Sequence, residues 1–222
     1  MTYKKDFIEF LVQCNALKFG EFELKSGRIA PYFINTGMFD TGTKIQKLGT
    51  FYAQAIQEHF QDNFDGIYGP AYKGIPLCIT AATALADAGM DKGYIFNRKE
   101  AKTYADKSAV VGMPLTADTR LILVDDVITS GKAIRESLEI LKTCDNPQVA
   151  GIVISVNRQE KGKTDKNALK EVAEILGIPI FSIVTISEII AFLHNRQIDG
   201  RVVLDNGMKT KIQAYLETYG AD

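Results

Sequence analysis

The sequence predicts an α/β fold in which a mainly parallel sheet is covered by helices on both faces. Short apolar runs recur along the second two thirds of the chain, at 66–68, 93–96, 121–124, 149–156 and 179–184. Stretches with helical spacing of apolar residues separate most of them, at 75–86, 131–141 and 168–176. Strands that alternate with helices in this way call for right-handed crossovers between parallel neighbours. The run at 121–124 also ends in two acids and a glycine turn, and ligands of such folds bind beyond the carboxyl ends of the strands.

Each element follows from its local pattern. Phe7, Phe10, Leu11 and Cys14 recur at helical spacing and predict an amphipathic helix over 1–15. Phe19, Gly20, Phe22 and Leu24, followed by Ser26 and Gly27, read as a strand and turn, and Pro31, Tyr32, Phe33 and Ile34 as a second strand. Ile45, Leu48, Tyr52, Ala55, Ile56 and Phe60 mark a long amphipathic helix that Thr41 or Thr43 can cap. The stretch 98–119 is charged and aperiodic, which suits a mobile functional lid. Residues 1–40 and a C-terminal helix over 209–219 are expected to form a small hood on a single domain spanning 1–222.

Composition narrows the function classes. A chain of 222 residues can bury roughly 70% of its unfolded surface, enough for a real core. A net charge of -1 shows none of the basic excess typical of a nucleic-acid binder. Cys14, Cys78 and Cys144 are odd in number and far apart, which fits neither a disulfide framework nor a C-x-x-C metal site and points to a reducing compartment. Glu9 interrupts the N-terminal apolar stretch and no small-residue cleavage site follows it. The most apolar run, 77–86, is far short of the ~20 residues that cross a bilayer. A soluble, cytoplasmic protein without a membrane or nucleic-acid partner is the expectation.

The most informative segment is Leu121, Ile122, Leu123, Val124, Asp125, Asp126, Val127, Ile128, Thr129, Ser130, Gly131, Lys132, Ala133. Where a strand ends the chain curls, so adjacent carboxylates that would otherwise face opposite ways can reach one sugar and accept from its hydroxyls. The turn at 129–133 aims free backbone N–H groups of a helix N-terminus at a phosphate, and Gly131 permits close approach. A Walker A loop does not fit, because Asp126 stands at its first glycine position and Ala133 at its Ser/Thr position.

This segment resembles the phosphoribosyl pyrophosphate signature of type I phosphoribosyltransferases, a family with a Rossmann-like fold and a small hood. The resemblance implies that Tyr72, Lys73, Asp125, Asp126, Val127, Thr129, Ser130, Gly131, Lys132 and Ala133 bind phosphoribosyl pyrophosphate. Lys132 departs from the family's usual small or hydroxyl residue. Either the backbone alone holds the phosphate there or Lys132 adds a charge.

Four further segments resemble orotate phosphoribosyltransferases. They are 17–28, the Phe33 and Ile34 pair, the turn at 69–76 and the cationic run Asn97, Arg98, Lys99, Glu100, Ala101, Lys102; a strand-end Arg158 accompanies them. The resemblance places Lys25, Phe33, Ile34, Thr129 and Arg158 at orotate, and Lys73, Arg98, Lys99, Lys102, Asp125 and Asp126 in catalysis. It further implies Mg²⁺ carried mainly by substrate, with Asp125 and Asp126 in its outer shell and no direct protein ligand. A homodimer whose 98–102 loop acts in trans is implied as well.

Plainer readings stand beside these. Phe33 also suits a core position, the 98–102 run a solvated face, and Arg158 a surface ion pair with Glu160. The family's loop His-Gly pair is Tyr104 and Ala105 here, leaving Tyr104 as the hydrogen-bond donor at that point. The histidines, His59 and His194, fall in helical segments outside every motif. Two competing functions share the signature: a purine-using enzyme of the same fold, and a phosphoribosyl pyrophosphate sensor that binds nucleic acid.

Overall fold

The structure is a computed structural model that describes residues 2–24, 27–98, 109–128, 131–162 and 164–221. Helix α1 (Thr2–Gln13) leads into the antiparallel pair β1 (Leu17–Glu23) and β2 (Ile29–Ile34), then a short 3₁₀ turn (Thr36–Met38) and helix α2 (Gly42–Phe60). Of the two candidate caps for α2, Thr41 is the one used, its hydroxyl accepting from Lys44 N–H. There follow β3 (Gly66–Gly69), α3 (Gly74–Asp87), β4 (Gly93–Asn97), β5 (Val110–Gly112), β6 (Arg120–Asp125), α4 (Lys132–Lys142), β7 (Gln148–Asn157), α5 (Ala168–Leu176) and β8 (Ile180–Thr185). The described chain closes with α6 (Ile186–Leu193), a hairpin of β9 (Gln197–Ile198) and β10 (Arg201–Val202), and α7 (Asn206–Tyr219).

The central sheet has the order β5-β4-β3-β6-β7-β8, parallel except for β5 at one edge. Its inner strands β3, β6 and β7 are buried on both faces, and the period-two alternation decides which core each side chain joins. On β6, Ile122 and Val124 enter the core with α1, α2 and α3, whereas Leu121 and Leu123 face α4 and α5. From β3 the chain first moves outward to β4 and later returns to place β6 on the other side of β3. The strand order therefore reverses between β3 and β6, the switch point where open α/β sheets bind ligands beyond their carboxyl ends.

The structure differs from the sequence expectation in three places. The aperiodic 98–119 stretch contains β5, which is too short to show a period and gains its ladder from β4. Helix α6 escapes the pattern because Ile186-Ser-Glu-Ile-Ile-Ala-Phe-Leu193 runs straight on from β8, so strand and helix merge into one apolar segment. A capping box at Thr185 and Glu188 marks the boundary instead. His194 ends α6 rather than lying within a helix, and its Nε2 is 2.8 Å from Asn206 Oδ1. Among the described residues no helix is long and apolar enough to cross a membrane.

Candidate active site

Strand β6 ends at Asp125, and both acids there are held from behind. The Asp125 carbonyl accepts from the Tyr52 hydroxyl at 2.8 Å, and the Asp126 carbonyl accepts from Ser155 N–H at 3.0 Å and from its hydroxyl at 2.6 Å. The Asp126 carboxylate is almost wholly buried. Its Oδ2 accepts from Lys73 Nζ and Thr36 Oγ1, each at 2.8 Å, and its Oδ1 accepts from Val127 N–H at 2.8 Å. Asp125 Oδ1 accepts from Asp126 N–H at 2.8 Å.

These partners split the pair electrostatically. Burial, with the neighbouring Asp126 charge adding to it, pushes the Asp125 carboxyl up to about 7. Burial opposes ionisation of Asp126 as well, but the Lys73 ammonium and the Thr36 hydroxyl outweigh it and hold that carboxyl below the ordinary carboxylate range. Of the two, Asp126 is favoured as the anion and Asp125 as the carboxyl that keeps a proton more readily.

The turn between β3 and α3 closes so tightly that a Cβ on Gly69 would lie 2.0 Å from the Gly74 carbonyl oxygen. Asn97, at the end of β4, steadies it by accepting from Ala71 N–H at 2.8 Å. Tyr72 stands largely exposed on this turn, and Lys73 leaves it to reach Asp126 across the switch point. Beyond β6, Gly131 takes a left-handed φ of 65° as it opens α4, and a Cβ there would meet Val172 at 2.9 Å. Asp125, Val127, Gly131, Lys132 and Ala133 line a cavity of about 340 Å³. Lys132 is exposed and lies 3.6 Å from Glu136.

Strand β2 is tied to two strand ends of the sheet. Its Tyr32 hydroxyl donates to Glu160 just beyond β7, and Thr36, two residues past its end, donates to Asp126 beyond β6. Phe33 and Ile34 therefore lie on the span between the two. Phe33 is not a core residue: it is 36% exposed and stacks on Phe22 with ring centroids 5.6 Å apart, while Ile34 is half-buried. Arg158 does pair with Glu160, at 2.7 Å, but the pair is not a surface one, since the two side chains are only 22% and 14% exposed.

The structure thus gathers Lys73, Asp125 and Asp126 at one point and Arg158 at a second. Arg98, at the end of β4, has its backbone N–H on the Ala109 carbonyl and lines a different cavity with Val110, Met113 and Cys144. Lys25, Lys99, Lys102, Tyr104, Thr129 and Ser130 lie outside the described residues. Sequence reasoning missed Thr36, Asn97 and Tyr32 as partners of the site. Thr36 is separated from Asp126 by 90 positions, and no local pattern marks such a contact.

The tight turn after β3 and the acid pair after β6, followed by a glycine that opens a helix, meet at the switch point, an arrangement suited to a ligand that carries both anionic and hydroxyl groups. Residues 36–187 match the phosphoribosyl transferase domain model. The orotate phosphoribosyltransferase of Clostridium botulinum (strain Alaska E43 / Type E3) is 44% identical over 221 residues, covering 99% of both chains. That of Clostridium acetobutylicum is 47% identical over 219 residues, covering 98% of each. The crystal structure of orotate phosphoribosyltransferase from Francisella tularensis superposes with a TM-score of 0.83 at 38% identity, covering 97% of this chain and 100% of that one. With kinship running the full length of the chain, it belongs to the orotate phosphoribosyltransferase family.

Proposed function

We propose that the chain transfers the 5-phosphoribosyl group from phosphoribosyl pyrophosphate to orotate, giving orotidine 5-phosphate and pyrophosphate in pyrimidine biosynthesis. The observation that carries this reading is the 2.8 Å contact of Lys73 with Asp126. It joins the turn suited to pyrophosphate and the turn suited to ribose phosphate within the span of one ligand.

Asp125 and Asp126 accept from the ribose 2- and 3-hydroxyls, while N–H groups at 129–133 hold the 5-phosphate. Lys73 exchanges its carboxylate partner for pyrophosphate oxygen, joined by Arg98, Lys99 and Lys102. Displacement at the sugar C1 passes through an oxocarbenium-like state, so the protein supplies position, fixed charge and exclusion of water rather than covalent chemistry. Orotate is already anionic and needs no strong general base. Lys25, Phe33, Ile34 and Arg158 hold it under the hood.

Among the described residues no group of three or more His, Cys, Asp or Glu side chains gathers to cage a metal. Two adjacent carboxylates, one of them engaged by Lys73, suit Mg²⁺ that arrives on substrate oxygens and keeps its waters. When bound, it neutralises charge on the departing pyrophosphate. The chain works in the cytoplasm as a homodimer, each 98–102 loop closing the partner's site, with no membrane or nucleic acid involved. The combination of Lys25, the 98–102 cations and Arg158 favours orotate over a purine.

The test follows absorbance loss of orotate, adenine, hypoxanthine and uracil, each supplied with phosphoribosyl pyrophosphate and Mg²⁺. Consumption of orotate alone is the expected result. A purine consumed while orotate persists would overturn the assignment.

A further inference from the structure

We propose that Glu160 and Tyr32 are positioning residues for Arg158, Glu160 occupying one edge of its guanidinium and Tyr32 holding that carboxylate and the guanidinium face, so that the opposite edge is aimed at the base. This rests on the reading of Arg158 as an orotate contact given above.

The guanidinium carries five N–H groups in a planar fork. In this structure Nε and Nη2 both donate to Glu160 Oε1, at 3.0 and 2.7 Å, so the edge nearest the backbone is occupied. The Tyr32 hydroxyl donates to the same oxygen at 2.7 Å. The Tyr32 ring lies under the guanidinium, its centroid 5.0 Å from Cζ, and fixes the plane from below. Tyr32 is itself fully buried and meets Tyr215 of α7 edge to face at 6.1 Å. The backbone of Glu160 is also pinned, its carbonyl accepting from Ala168 N–H at 2.9 Å.

With one edge taken, Nη1 and the outer N–H of Nη2 are what Arg158 offers a ligand. Those two donors form the end-on fork that matches the two oxygens of a carboxylate. The adjacent Glu160 charge balances the cation, so the site recognises its ligand by direction more than by net attraction. Freed from Glu160, the side chain would regain its rotamers, and orotate binding would have to order it again.

The experiment compares Tyr32→Phe, Glu160→Ala, Glu160→Gln, Arg158→Ala and the Glu160→Ala/Arg158→Ala double variant. Steady-state KM for orotate and for phosphoribosyl pyrophosphate is measured in each, with thermal melts alongside. Losing hydrogen bonds to a charged group predicts an orotate KM raised roughly tenfold in Glu160→Ala and severalfold in Tyr32→Phe. Glu160→Gln, which keeps an acceptor oxygen, should recover most of that loss. The phosphoribosyl pyrophosphate KM should stay within about twofold, and the double variant should be no worse than Arg158→Ala alone, because the two residues act through one contact.

An orotate KM raised in Arg158→Ala but unmoved in Tyr32→Phe and Glu160→Ala overturns the positioning role and leaves Arg158 as the contact. If Arg158→Ala itself leaves the orotate KM unchanged, the underlying assignment falls and this proposal with it. Should Glu160→Ala fail to fold, Tyr32→Phe decides between the same outcomes.

Discussion

At the carboxyl end of β6, Asp125, Asp126, Val127, Gly131, Lys132 and Ala133 lie close together in sequence, and the sheet holds the Asp125 and Asp126 backbone from behind through Tyr52 and Ser155. At the end of β7, Arg158 donates to Glu160, whose same oxygen accepts from Tyr32, a residue 128 positions from Glu160. The first region is a backbone device and the second a side-chain device. A turn whose N–H groups bind phosphate needs only local geometry, so it is compact in sequence. A base pocket that must match one flat ligand draws on whichever elements topology brings together.

That contrast yields predictions of decreasing size. Asp126→Asn removes the carboxylate charge while keeping the side chain's shape, and turnover should fall by ~10² to 10³ with the fold intact by circular dichroism. Near wild-type turnover would detach the acid pair from the chemistry. Thr36→Val keeps volume but removes one donor to Asp126 and should lower kcat/KM for phosphoribosyl pyrophosphate by roughly tenfold. An unchanged value would mean that the tie between the end of β2 and the end of β6 is not used in catalysis.

The smallest effect is one of stability. The folded Asp125 carboxyl titrates near 7, above its unfolded value of 3.8, so between these values the folded state binds more protons than the unfolded one. This group's contribution is therefore fully present below the unfolded value and is lost as pH rises through about 7. Asp125→Asn, which mimics the protonated form, should melt progressively higher than the wild type as the pH is raised from about 5 to about 8 in ligand-free protein. A Tm difference that stays constant across that range would remove the split between the two acids.

The same contrast explains what could be read in advance. Strands β3 to β8 follow from alternating apolar runs and helical spacing, except for β5, whose three residues owe their pairing to β4. The acid pair was legible because four apolar residues precede it and a glycine turn follows. Phe33 was not, since an aromatic beside Tyr32 is ambiguous until the strand shows that Tyr32 takes the buried side and Phe33 the open one. Thr36 carried no signal, because its contact with Asp126 exists only once β2 has been laid over the sheet.

On the proposed function the crevice has two separable halves, one for ribose phosphate and one for the base. The most direct test of that division is the pair of KM values, for orotate and for phosphoribosyl pyrophosphate, measured side by side in Lys73→Ala and Arg158→Ala. The account predicts a crossed pattern, with Lys73→Ala raising the phosphoribosyl pyrophosphate KM and Arg158→Ala the orotate KM, each by roughly tenfold or more. Both variants raising both constants in the same proportion would contradict it.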